Sequence, residues 1–423
     1  MHDFKYVGNQ LCCERVKIAD LARRFGTPLY VYSYNTLINH YTKLKEAFAE
    51  IDPLICYSMK ANSNLAIIRA LVREGGGLDI VSGGELCRAK MVGASSQKIV
   101  YAGVGKTAAE IDAALNAGIL LFNCESIAEL ELINSRAKAL NKTANVAIRI
   151  NPNIETKTHK YITTGKEYTK FGLDFNTTRW IFFNSGKFPH LRLRGVHIHI
   201  GSQIVESGPF VNAIRRTRDF IESLRALGVK IEYFNIGGGL GIIYKNEKPQ
   251  TAQDYAWAIV PILKGTGLKI IMEPGRFIVG NAGVLVARIT YLKATKVKSF
   301  IIVDAGMNDL VRPTLYEAYH EILPVVRQKT EDRRQKTEKF DVVGPICESG
   351  DFFALNRKMA QPAQGGLLAI MGAGAYGFSM SSNYNARPRA CEIMVSGNKA
   401  HEIRARETCK DLVKGEVVPN FLK

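Results

Sequence analysis

From Leu54 to Met272 the chain alternates short apolar runs with stretches whose apolar residues recur at helical spacing, and few folds accommodate so long an alternation. The runs fall at 54–59, 77–81, 99–103, 119–123, 146–151, 195–200, 231–236 and 268–272. Short continuous apolar runs between helical patterns read as strands of a parallel sheet, with helices covering its faces. Eight such strands match a closed (β/α)8 barrel, which typically takes ~250 residues. The competing architecture is an open doubly wound sheet. That fold usually has fewer strands and a glycine-rich turn near its start, which this chain lacks.

Past Arg276 the pattern changes. Runs at 284–292 and 299–303 alternate or run with β-branched residues, and further runs follow at 340–343, 366–370, 389–395 and 402–404, with no comparable helices between most of them. They predict an all-β domain, a sandwich or small barrel. The expected division is a TIM-like barrel over 31–280 and a C-terminal β-domain over 281–423 that takes strands from 1–30. Ser33 is placed to cap a helix over about 34–49.

At 423 residues, with 46% apolar and 23% charged content, the chain has the size and composition of a two- or three-domain globular protein. No apolar run approaches the roughly 18 residues of a membrane span. Met1-His2-Asp3-Phe4-Lys5 carries no apolar leader core, so the cytoplasm is the expected compartment. The eight cysteines show neither metal-ligand spacing nor the density of a disulfide scaffold, and no metal site is expected. The net charge of +18 is spread along the chain rather than gathered into a nucleic-acid motif. Its densest stretch, 327–339, mixes lysine and arginine with Glu331, Asp332 and Glu338 and reads as a solvated loop or exposed helix. A general positive field would help to collect an acidic small molecule. Neither a nucleic-acid partner nor a membrane is expected.

In a (β/α)8 barrel the site lies at the C-terminal ends of the strands. Those ends carry Lys60; Asp79 and Ser82; Asn123; Arg149 and Asn151; His197, His199 and Ser202; Gly237-Gly238-Gly239; and Glu273-Pro274-Gly275-Arg276. Burial would depress the pKa of Lys60 and suit it to attack a carbonyl, although a lysine at a strand end also reads as a snorkelling side chain. The triple glycine would let backbone N–H groups approach a phosphate, or would simply make a tight turn. No lysine with Ser or Thr follows it, which argues against a nucleoside triphosphate. His197 and His199 share one strand face, fit to stack on a flat ring or, with acidic ligands that are not apparent, to bind a metal. Glu273 would hold a protonated ring nitrogen and Arg276 a phosphate or carboxylate, or the two would close the barrel as an ion pair. A lysine nucleophile, phosphate glycines, a carboxylate and a stacking imidazole together make a pyridoxal 5'-phosphate site.

With Tyr57-Ser58-Met59-Lys60-Ala61-Asn62, His199-Ile200-Gly201-Ser202-Gln203, the glycine turn, Glu273-Pro274-Gly275-Arg276 and Cys347-Glu348-Ser349-Gly350-Asp351 in this order, the chain resembles the barrel-type (fold-type III) pyridoxal phosphate-dependent amino-acid decarboxylases. Within that family it is most similar to the branch acting on diaminopimelate. The resemblance runs from about Thr27 to Arg389. It implies that Lys60 forms the Schiff base, that Asp79 lies near it, and that His199 stacks on the ring. It assigns Ser202, Gly237, Gly238 and Gly239 to the phosphate, Glu273 to the ring nitrogen, and the Pro274-Gly275-Arg276 turn to cofactor or substrate. It further implies that Arg312 and Tyr316 grip a distal carboxylate, that Glu348 recognises a distal amino group, and that Tyr376 touches cofactor and substrate. Cys347 resembles the proton donor. In the family Cys347 and Glu348 come from a second subunit, which implies a homodimer with composite sites. Met59, beside Lys60 in the first motif, and the 327–339 stretch depart from the family pattern.

The implied reaction is decarboxylation of meso-2,6-diaminopimelate to L-lysine, the last step of lysine biosynthesis. Alternatives are a decarboxylase of the same fold acting on ornithine, arginine or carboxynorspermidine, an amino-acid racemase, or a non-catalytic pyridoxal phosphate-binding protein. Ornithine and arginine lack the distal carboxylate that Arg312 and Tyr316 would bind. A racemase would need an acid/base tyrosine on the second face of the ring.

Overall fold

The computed structural model describes residues 2–154, 170–327 and 337–423, and the chain divides into two compact units, Ile38–Val279 and Met1–Leu37 with Gly280–Lys423. Residues 328–336, most of the mixed-charge stretch, lie outside the described residues; 337–339 begin a strand.

The second unit opens with strands β1 (Phe4–Val7), β2 (Gln10–Cys13) and β3 (Val16–Lys17), helix α1 (Ile18–Phe25) and strand β4 (Leu29–Ser33). The first three strands pair among themselves as an antiparallel sheet, with one further bridge from Gln10 to Val326, and β4 is the N-terminal strand within the large sheet. Ser33 Oγ accepts the Thr36 N–H at 3.1 Å, a capping contact at the start of α2 (Tyr34–Ala47).

The Ile38–Val279 unit holds β5 (Leu54–Ser58), β6 (Gly77–Ile80), β7 (Ile99–Tyr101), β8 (Leu121–Cys124), β9 (Ala144–Ile150), β10 (Leu191–Ile198), β11 (Tyr233–Asn235) and β12 (Lys269–Met272). They are parallel in chain order, and Ile271 and Met272 of β12 register with Leu54 and Ile55 of β5 to close the barrel. β6, β7, β8 and β11 are buried at every position, because side chains point alternately into the barrel and under the helices. Each of the eight expected runs is a strand of this barrel. The intervening helices begin on side-chain caps. Asn64 accepts the Ala66 N–H, Ser82 the Glu85 N–H, Thr107 the Glu110 N–H and Ser126 the Glu129 N–H. Ser82 is thus a helix cap at the rim, with its hydroxyl engaged.

The sheet of the other unit is mixed. β13 (Gly283–Ala294) pairs β4 and β18 (Leu367–Ile370) along its first half and, from Ile289 onward with a bulge before Tyr291, β14 (Ser299–Val303). β16 (Thr337–Val343) runs parallel to β14, β17 (Phe352–Ala360) flanks β16, β15 (Ile322–Pro324) flanks β18, and β19 (Cys391–Ser396) and β20 (Lys399–Arg404) extend the sheet beyond β4. A bulged strand shared by two sets of partners is how a sheet turns over on itself. Leu29, Val31, Val284, Val286, Ala369, Ile393 and Val395 form the core of this unit together with Phe4, Leu11 and Ile18 from the N-terminal strands and helix.

Candidate active site

Three rim segments of the barrel are tied together by backbone. The Ser58 N–H donates to the Pro274 carbonyl at 3.1 Å, and the Glu273 N–H donates to the Gly237 carbonyl at 2.8 Å. The turn carrying Lys60, the glycine turn and the turn carrying Glu273 and Arg276 are therefore held in fixed relation. Gly238 makes this contact close: a Cβ there would lie 2.0 Å from the Glu273 carbonyl oxygen.

Lys60 sits in the single 3-10 turn Met59–Ala61 at the end of β5, with Nζ 3.4 Å from Asp79 Oδ2. Sequence reasoning expected burial, yet the side chain keeps 34% of its exposure while Asp79 is sealed. The partly exposed lysine side chain thus ends beside a buried carboxyl. Burial and the charge of Glu273 raise the Asp79 pKa to about 6, against the charge of Lys60 and the hydrogen bond from Ser58. Ser58 Oγ lies 2.6 Å from Asp79 Oδ2.

Glu273 is buried inside a ring of donors. Asn123 Nδ2 and Asn235 Nδ2 donate to Oε1 at 3.0 and 2.6 Å, and His197 Nε2 lies 3.2 Å from Oε2. Burial alone would raise its pKa. The charge and hydrogen bond of His197, with the charge of Lys60, outweigh burial and hold Glu273 well below the ordinary carboxylate range. His199 is half-buried, and its Nδ1 accepts the Gly238 N–H at 3.2 Å, so the neutral ring carries its proton on Nε2. Burial and the charges of Lys60 and Arg149 keep it well below the usual imidazole range. Arg276 opens the short helix Arg276–Val279, where Nη2 donates to Ser202 Oγ at 3.0 Å and Nη1 to Tyr244 Oη at 2.8 Å. Among the described residues no three His, Cys, Asp or Glu side chains are grouped to hold a metal ion. The two histidines serve Glu273 and Gly238 instead.

These residues fit pyridoxal phosphate. An amine lies at the rim, a buried carboxylate is kept ionised, a neutral imidazole lies beside them, and a guanidinium and a hydroxyl adjoin the glycine turn. Asp79 Oδ1 is also buried without a hydrogen-bond partner, as is His197 Nδ1. Of the three glycine N–H groups, that of Gly237 donates to Asn235 Oδ1 and that of Gly238 to His199.

The remaining predicted residues lie on the mixed-sheet unit. Arg312 is buried at the start of the helix Arg312–Tyr316, with Nη1 2.9 Å from His320 Nε2. His320 Nδ1 lies 2.7 Å from the Met371 carbonyl, which can only accept, so Nε2 is the lone pair that receives the Arg312 N–H. Tyr316 ends that helix, half-buried. Tyr376 is also half-buried and adopts φ of +57°, a conformation rare outside glycine and asparagine. The loop after β16 is organised by buried Asp351, whose carboxylate accepts the Ile346 N–H at 2.6 Å and the Met307 N–H at 2.7 Å. It presents Cys347 and Glu348 at the surface of the unit, with the Cys347 N–H on Asn385 Oδ1 and Glu348 Oε1 receiving the Tyr384 hydroxyl.

Sequence reasoning missed Asn235, Tyr244 and His320 as site residues and gave Asn123 no role. Asn235 lies inside an apolar run, where only its polarity set it apart, and nothing in the sequence singled out Tyr244 or His320.

A closed barrel with this rim defines a pyridoxal phosphate-binding decarboxylase of the barrel type. Residues 34–280 match the family model described as pyridoxal-dependent decarboxylase, pyridoxal binding domain. The chain is 46% identical to the diaminopimelate decarboxylase of Aquifex aeolicus over 97% of this chain and 96% of that one. The diaminopimelate decarboxylase of M. jannaschii, solved in co-complex with L-lysine, superposes with a TM-score of 0.93 at 40% identity, covering 99% of each chain. The Helicobacter pylori diaminopimelate decarboxylase, complexed with L-lysine, gives 0.90 at 41% identity, covering 94% of this chain and 98% of that one. The chain belongs to the diaminopimelate decarboxylase family.

Proposed function

We propose that this chain decarboxylates meso-2,6-diaminopimelate to L-lysine and CO2, with the residues above in the following roles. The observation that carries the reading is the Lys60 amine beside Asp79 at the barrel rim, set against a Glu273 carboxylate that its surroundings keep ionised. Bound pyridoxal phosphate supplies an aldehyde for amines and a ring that takes up the electron pair left when CO2 departs. Lys60 provides the amine that holds the cofactor. Glu273 keeps the ring nitrogen protonated, His199 flanks the ring, and Ser202, Gly237, Gly238, Gly239 and Arg276 take the phosphate, with Pro274 and Gly275 shaping that turn. Arg312 and Tyr316 bind the distal carboxylate, Glu348 the distal ammonium, and Tyr376 meets cofactor and substrate. Cys347 delivers a proton to the substrate α-carbon.

In this proposal 31–280 is the cofactor domain, and 281–423 with strands from 1–30 is the domain that recognises substrate. The enzyme works as a homodimer in the cytoplasm, with Cys347 and Glu348 lent to the partner's site. Exposure of both side chains supports that arrangement. L-lysine, the product required here, is the ligand of two solved relatives.

The purified protein should be yellow, and Lys60→Ala should abolish the colour. Borohydride reduction should fix the cofactor on the peptide containing Lys60; label on any other lysine would overturn the assignment. Mass analysis after incubation with diaminopimelate, ornithine, arginine and carboxynorspermidine should give lysine from the first and no amine from the rest. Interconversion of stereoisomers without loss of CO2 would mark a racemase.

A further inference from the structure

The mechanism above uses Glu273 but not the groups that hold it, and those groups converge from separate strands. Asn123 comes from β8, which lies across the barrel from β12; His197 comes from β10 and Asn235 from β11. All three are buried. Asn235 differs from the others because it uses both ends of its amide. Nδ2 donates to Glu273 Oε1 at 2.6 Å, while Oδ1 accepts the Gly237 N–H at 3.0 Å. The same glycine carbonyl accepts the Glu273 N–H. One rigid side chain of two rotatable bonds thus joins the carboxylate that would meet the ring nitrogen to the turn that would meet the phosphate.

We infer that Asn235 is a positioning residue that couples phosphate recognition at the glycine turn to ring-nitrogen recognition at Glu273, with Asn123 and His197 completing a donor cage around that carboxylate. The inference rests on the proposed pyridoxal phosphate site. The three donors hold Glu273 through contacts within the protein itself, which fix the orientation of its carboxylate. A ligand that binds a preset group does not bear the cost of ordering it. Without the Oδ1 contact the Gly237 N–H loses its acceptor and the turn its local restraint, so the phosphate gains less on binding. Without the Nδ2 contact Glu273 loses one donor, and the ring loses affinity whether or not it carries a phosphate. The two ends of Asn235 therefore predict different losses.

The test measures binding of pyridoxal phosphate and of phosphate-free pyridoxal to the full chain by visible absorbance, with folding checked by circular dichroism. Wild type should prefer the phosphorylated form. Asn123→Ala, which touches only Glu273 among these groups, should weaken both forms by a similar factor, about tenfold to a hundredfold for a lost hydrogen bond to a charge, and leave their ratio unchanged. Asn235→Ala should weaken the phosphorylated form more and shrink the ratio at least severalfold. Asn235→Asp keeps an acceptor for Gly237 but sets an oxygen against Glu273, so it should weaken both forms with the ratio kept. That variant also decides the matter if the alanine form does not fold. An unchanged ratio in Asn235→Ala, or a collapsed ratio in Asn235→Asp, would overturn the coupling. Failure of wild type to bind pyridoxal phosphate at all would instead remove the functional reading, and this inference with it.

Discussion

Asp309 is a carboxyl group placed where ionisation is costly. It is buried, and desolvation raises its pKa to about 7 against the Gly306 N–H bond and the charge of Arg387. A carboxyl whose folded pKa is raised adds stability that is fully present below its unfolded pKa, near 4, and is lost as pH rises through 7. Asp309→Asn keeps an oxygen for the Gly306 N–H and removes the ionisation. It should therefore raise the thermal midpoint relative to wild type at pH 8, by the equivalent of roughly 2–4 kcal/mol, and change it little at pH 4. An equal shift at both pH values would show that ionisation of Asp309 is not the cause. At this scale the site was partly legible. Lys60, His199, Glu273 and Arg276 stood out because a charged or polar group at the end of an apolar run has few structural reasons to be there. Asn235 and His320 did not, because their meaning lies in contacts with Glu273 and Met371, 38 and 51 positions away.

At the scale of elements, the barrel was legible because strands buried on both faces have to be apolar throughout. The mixed sheet was less so. β17 passed unnoticed: Asn356 takes φ of +50° at a register shift, and Asn356, Arg357 and Lys358 break the apolar pattern on a strand that ends the sheet. β15, three residues ending in proline, carries too little pattern to register. The glycine turn shows the converse. Sequence reasoning valued it for approach to a phosphate, whereas the structure adds a steric demand from the protein itself. Gly238→Ala would drive a Cβ into the Glu273 carbonyl and displace both turns, so it should cost several kcal/mol, of the order of 3 or more, and weaken cofactor binding with it. Gly228→Ala in the same unit is the comparison: φ is +87° but nothing lies within 4 Å, so about 1 kcal/mol is expected. Similar melting temperatures and cofactor affinities for the two variants would mean that the turn yields freely.

For the whole molecule the open question is whether one chain makes a complete site. Among the described residues no helix is long and apolar enough to cross a membrane. Cys347 and Glu348 are exposed, while the loop bearing them is fixed from beneath by Asp351. A rigid loop that holds a thiol and a carboxylate outward suits delivery to another subunit. If Cys347 is only a surface thiol, Cys347→Ala should leave turnover intact. If it protonates the α-carbon, turnover should fall ~10²–10⁴-fold while the yellow cofactor colour survives. Two inactive proteins then decide whether it serves its own chain. Lys60→Ala and Cys347→Ala, mixed in equal amounts under subunit exchange, form mixed dimers in about half of all pairings, each with one intact composite site of two. Activity should return to about a quarter of wild type. No recovery, with exchange verified by tagged subunits, would put both residues in the same chain's site and remove the shared-site dimer.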